Sequence, residues 1–207
     1  MSSGAGADET GTGAKSRIAR LLGDRRGAAA IEFAFIAPLL LSMYLVTMEV
    51  SQAIEVNKKI ARVGSMVADL VTQQDKVTKA EIDAIMEISQ SILQPYNRST
   101  PVIEITAIDL SDNTSPTATV MWSRKLDNGS FSAGLPQGTT VTVPATLNIA
   151  GSFLVRVESS LGYRPVITYT ATQKDALGLA AAFDGIAMKE TYFLRPRMSQ
   201  TIPCGDC

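Results

Sequence analysis

The chain has 207 residues, enough for one or two domains. With 19 lysines and arginines against 20 aspartates and glutamates, the net charge is −1, which argues against nucleic acid as the main partner. Histidine is absent, so the commonest general base and metal ligand is missing, which disfavours hydrolase or metalloenzyme chemistry.

Residues 1–16 are rich in Gly, Ala, Ser and Thr, have no apolar period, and read as disordered. Arg17, Arg20, Arg25 and Arg26, with Ile18, Leu21 and Leu22 between them, then form a short basic amphipathic patch. Together with Lys15 they outweigh Asp8, Glu9 and Asp24, and the positive-inside rule expects this end in the cytoplasm. The next stretch, Ala28 to Val50, has 23 residues (50 − 28 + 1) and only two charges, Glu32 and Glu49. About 20 apolar residues suffice to cross the hydrocarbon core, so residues 28–50 are expected to be a transmembrane helix. A secretory h-region is shorter and ends in a small-residue cleavage site, which is not found here. Pro38 cannot donate to the carbonyl of Ala34, so a bend is expected there. Val50, Ile54, Ile60, Val63, Val67 and Leu70 continue at helical spacing, with Gln52, Glu55, Lys58, Lys59 and Arg62 between them. The pattern predicts one helix from Ala28 to about Val71, its first half in lipid and its second half amphipathic, with Glu49 and Glu55 on a solvated or headgroup-level face.

Thr78-Lys79-Ala80-Glu81 fits a capping box, and Ile82, Ile85, Met86, Ile92 and Leu93 form one face of a second helix that ends before Pro95. Residues 102–110 alternate as a strand, with a phase slip at Ala107-Ile108 that suggests a bulge. Thr117 to Ser123 places Ala118, Val120 and Trp122 inward, and Asp127-Asn128-Gly129 signals a turn before a loop reaching Gly138. Ser152 to Ser159 sets Phe153, Val155 and Val157 on one face. Residues 164–169 are expected to be another strand or loop, and Thr191 to Leu194 a last short strand. Two helices followed by several strands give an α+β class with an antiparallel sheet. The expected organisation is a leader at 1–27, the membrane helix at 28–50, and one compact domain at 51–207.

Arg26-Gly27-Ala28-Ala29-Ala30-Ile31-Glu32-Phe33-Ala34, the run Pro38-Leu39-Leu40-Leu41 and the amphipathic continuation to about Asp69 resemble the TadE-like segment. That family comprises TadE and TadG-related proteins of the tight-adherence (Flp, type IVb) pilus system. The resemblance covers about residues 25–70 and extends weakly to the tail, Arg195-Pro196-Arg197 and Cys204-Gly205-Asp206-Cys207. It implies a minor pilin-like component of pilus assembly, anchored in the bacterial inner membrane with a pilin-like periplasmic domain, without cofactor and not an enzyme. Its implied partners are other pilus components and a prepilin peptidase that would cut between Gly27 and Ala28. The longer TadG type carries a metal-binding Asp-x-Ser-x-Ser motif. Asp109-Leu110-Ser111-Asp112-Asn113 departs from that pattern at Asn113 and reads as a strand-end turn.

A carboxylate in a bilayer costs about 2.5–3.5 kcal/mol on insertion scales, so Glu32 needs a reason. It is read as a counter-charge for an ammonium on Ala28, in its own chain or a neighbouring subunit; the competing reading is a near-interface carboxyl that reaches headgroups or stays protonated. Cys204 and Cys207 are read as a small local disulfide in an oxidising compartment. A redox pair would need a helix N-terminus, which Pro203 disfavours, and a zinc site would need two more ligands. The alternative to a pilus role is a membrane-anchored periplasmic binding or sensory domain.

Overall fold

The computed structural model describes residues 25–166 and 186–207. Residues 1–24, which hold most of the expected leader, and residues 167–169 of the expected strand or loop lie outside the described residues. The chain divides into two units between Met48 and Glu49, and each is described by itself.

Helix α1, Arg25–Thr72, contains that division and continues through Pro38. It begins earlier than the expected Ala28, so Gly27 and Ala28 stand in its first turn. In the first unit its side chains are mostly exposed, including Ile31, Phe33, Phe35, Leu39 and Tyr44. It is the one described helix that is long and apolar enough to cross a membrane.

The second unit is an α+β domain. The sheet is antiparallel throughout, in the order β3-β2-β1-β4-β5, with β1 Val102–Leu110, β2 Ala118–Asp127, β3 Ser130–Ala133, β4 Phe153–Gly162 and β5 Ala187–Leu194. Helix α2, Lys79–Ile92, starts on the capping box: the Thr78 N–H donates to Glu81 at 2.8 Å and the Glu81 N–H donates to the Thr78 hydroxyl at 3.4 Å. One core joins Val56, Ile60, Val63 and Val67 of α1, Ile82 and Met86 of α2, and Ile103, Ile105, Val155 and Val157 of the sheet. Helix and sheet approach closely at Gly64, where a Cβ would lie 2.7 Å from the Ser159 Oγ.

The buried stripe of α1 differs from the expected one at its start. Val50 and Ile54 are exposed, and Glu49 takes their place in the core at 3% exposure. The reason is phase. At about 100° per residue, positions 49, 56, 60, 63 and 67 fall on one line, whereas 50 and 54 fall beside it. Glu49 is therefore not on a solvated face, whereas Glu55 is exposed as expected.

The sheet refines four other expectations. The register shift does fall at Ala107/Ile108, but β1 pairs with β4 without interruption, so the extra residue belongs to β2. Ala107 pairs with Trp122 and Ile108 with Val120, which leaves Met121 as the bulged residue. Ala118, Val120 and Trp122 are all buried, but on opposite faces: Trp122 joins the helix-side core, and Ala118 joins a second cluster with Ile108, Leu110 and Leu154. Val141, Val143 and Leu147 cover that second cluster, so both faces of this end of the sheet are apolar. The run after Gly129 is not all loop. Asn128 and Gly129, with φ of 50° and 76°, make the two-residue turn of a hairpin whose second arm is β3. β5 starts four residues before the expected Thr191, because Lys189 and Glu190 at the sheet edge hide the apolar period.

Candidate functional site

In the first unit, Gly27, Ala28 and Glu32 all lie on the exposed surface of α1. Among the described residues, apart from its own helix backbone and chain neighbours, no atom stands within 4 Å of where a Gly27 Cβ would be. Glu32 follows Ala28 by four residues, one helical turn, which is the spacing at which a terminal ammonium and a carboxylate can meet. Among the described residues, no side chain forms an ion pair with Glu32.

The second unit begins with a buried polar cluster that sequence reasoning missed. The Tyr163 hydroxyl donates to Glu49, and the Val166 N–H donates to both Glu49 oxygens at 3.1 and 3.2 Å. Tyr163 stacks on Tyr96 with ring centroids 5.7 Å apart, and the Arg98 guanidinium lies 4.8 Å from the Tyr96 ring centre. Arg98 also donates to the Gln52 side chain at 3.2 Å and to the Arg164 carbonyl at 2.8 Å. Burial and the neighbouring Glu49 carboxylate together push the Tyr163 phenol well above its ordinary value, so it stays a donor at physiological pH. The cluster ties the first turns of the domain's helix to the segments around residues 96 and 163. The phase of Glu49 on the Val56/Ile60/Val67 line was the signal that could have found it.

At the other end of the domain's helix pair, the C-terminal tail laces several elements together. The Arg197 N–H donates to the Thr72 carbonyl at 2.9 Å, closing the end of α1, and its guanidinium meets Asp69 at 2.6 Å. Val77 and Cys204 form a parallel bridge, with the Val77 N–H donating to Pro203 and the Gly205 N–H donating to Val77, both at 3.0 Å. The Trp122 indole donates to the Ile202 carbonyl at 2.7 Å. Cys204 and Cys207 are joined as a disulfide with Cα atoms 5.6 Å apart. The turn between them carries Asp206 to the N-terminus of α2, where it accepts the Lys79 N–H at 2.8 Å. Their thiols being bonded to each other, the Cys204, Asp206 and Cys207 group offers no thiolate to a metal. Across the same region Arg124 of β2 grips Asp83 of α2 bidentately at 2.6 and 2.8 Å, a hydrogen bond that raises the guanidinium's affinity for its proton.

Asp109 to Asn113 form the end of β1 and the loop after it, where the Thr117 N–H donates to the Ser111 hydroxyl at 2.9 Å. Trp122 lies in the core, and it also lines a cavity of about 440 Å³ between the tail and the sheet.

No curated protein and no solved structure matches the chain significantly. A family model does: that of the TadE-like proteins matches residues 27–68. The matched stretch is 42 residues (68 − 27 + 1), running from the glycine ahead of the apolar run to the buried Ala68 of the domain core. Residues 27–68 are thus similar to the TadE-like family, and the match does not extend to the rest of the chain.

Proposed function

We propose that the protein is a minor pilin-like assembly component of a tight-adherence pilus, anchored in the bacterial inner membrane by residues 28–50. The observation that carries this reading is the TadE-like match over 27–68, laid on an apolar helix that opens with Gly27, Ala28 and Glu32. In this reading residues 1–27 stay in the cytoplasm as a leader, and the domain that follows the span is periplasmic. A prepilin peptidase cuts between Gly27 and Ala28, leaving 180 residues (207 − 27). The new ammonium on Ala28 pairs with Glu32 of its own chain or of a neighbouring subunit, which offsets the cost of holding either charge in lipid. The Cys204–Cys207 disulfide suits an oxidising periplasm. The protein acts by helix packing and domain contacts rather than catalysis, with other pilus components as partners.

The test is complementation of a deletion strain, scored as surface pili per cell. The unaltered chain should restore pili, and Glu32→Gln should insert normally but restore few. Normal piliation in the deletion strain would overturn the assignment, whereas normal piliation with Glu32→Gln would remove only the counter-charge role. N-terminal sequencing of the membrane form checks the cleavage: Ala28 is expected, and an intact Met1 or Ser2 would exclude it.

A further inference from the structure

We infer that the cavity between the C-terminal turn and the bulged end of the sheet is a socket for a lysine or arginine side chain presented by a partner protein. Its volume of about 440 Å³ falls within the usual range for ligand sites. Trp122, Phe153 and Ile202 supply apolar wall, and the Cys204–Cys207 turn forms one side. Two carboxylates line it, Asp109 of β1 and Asp206 of the turn, and no lysine or arginine does among the described residues.

This combination matches a long basic side chain. Its methylene stem gains by lying along apolar wall while its charged head seeks a carboxylate, and tryptophan is the aromatic that best accepts a cation nearby. Asp206 already accepts the Lys79 N–H at 2.8 Å, so part of its charge is engaged at the start of α2. Asp109 is the carboxylate left to meet the ligand. The smaller adjoining cavity is lined by Lys79 and Arg124, and the Arg124 guanidinium is held by Asp83.

The bulge shapes the rim. It turns Trp122 towards the helix-side core and leaves Met121 42% exposed beside the cavity. A flexible, exposed methionine suits the backbone and neighbouring residues of a protein partner, a surface that a free amine would not use. The inference rests on this domain alone and does not depend on the pilus assignment.

Trp122 is the single tryptophan of the chain, so its fluorescence reads the cavity directly. The detergent-solubilised full chain would be titrated with Nα-acetyl-lysine N-methylamide, with the norleucine counterpart as the uncharged match, and with putrescine as a free diamine. The lysine probe should give a saturable change at concentrations at least tenfold below those needed for norleucine, and Asp109→Asn should remove that difference. An equal response to lysine and norleucine, no saturable response, or a preference unchanged by Asp109→Asn would overturn the proposal. Tighter binding of putrescine than of the lysine probe would overturn the partner side chain as the occupant. The lysine–norleucine comparison uses the unaltered protein, so it stands whether or not the variant folds.

Discussion

Replacing Glu49 with alanine should loosen the domain at the point where the chain enters it. The carboxylate is 3% exposed and accepts the Tyr163 hydroxyl, itself on a residue only 2% exposed, so Glu49→Ala leaves a buried phenol without its acceptor. A hydrogen bond to a charged group contributes about 1.5–3 kcal/mol. The Val166 N–H adds less, because Val166 is 46% exposed and water can replace the lost acceptor. Relief of the buried charge offsets part of the loss, which leaves a net destabilisation of about 2 kcal/mol. For a domain of this size that lowers the melting temperature by about 4–8 °C. Unfolding of the detergent-solubilised chain can be followed through Trp122, which is buried in the same core. Tyr163→Phe and the double variant complete a cycle, and the pair should show a coupling of about 1.5 kcal/mol. If the two single changes add to within about 0.5 kcal/mol, the Glu49–Tyr163 contact does not hold the domain and the reasoning fails.

Alkaline pH should act on the same contact. The folded state holds the Tyr163 phenol above its ordinary value, so the stability it contributes is complete below about pH 10 and is lost as pH rises through and beyond that value. Unfolding measured from pH 8 to 11 should show this loss in the unaltered chain and a smaller one in Tyr163→Phe; identical slopes would contradict it. Gly64→Ala tests the closest helix–sheet approach. Alanine gains about 1 kcal/mol of helix propensity, but its Cβ would stand 2.7 Å from the Ser159 Oγ and 2.9 Å from the Tyr192 ring. Overpacking of that kind costs about 1–3 kcal/mol, so the variant should be no more stable than the parent, and a clear rise in melting temperature would show that the sheet yields easily. For the tail, alkylation without reductant should leave Cys204 and Cys207 unmodified. The paired Cys204→Ser and Cys207→Ser change should cost about 2 kcal/mol by loop-closure entropy; two free thiols in protein taken from the envelope would contradict this.

Local signals in the sequence were sufficient where one residue type decides a conformation. The Thr78–Glu81 cap, the Asn128-Gly129 turn and the alternation of residues 102–110 all appear in the structure as read. In the first turns of the domain's helix the polarity of single residues misleads, because Val50 and Ile54 are apolar yet exposed and Glu49 is charged yet buried. The phase of the buried line, set by Val56, Ile60 and Val67, outweighs that polarity once Tyr163 supplies a donor. The register shift falls where the phase of residues 102–110 slips, but one strand's pattern does not say which partner carries the extra residue, and that partner is β2. The cavity was not legible at all. It joins Asp109 and Trp122 to Asp206 across nearly half the chain, and only the folded tail brings them together.

The claim on which the functional account stands is that residues 28–50 cross the membrane and deliver the domain to its far side. Protease added to intact spheroplasts, with the domain followed by an antibody, tests it most directly. The account predicts that the domain is digested without lysis while a cytoplasmic marker survives. A domain that stays protected until the membrane is broken would contradict it.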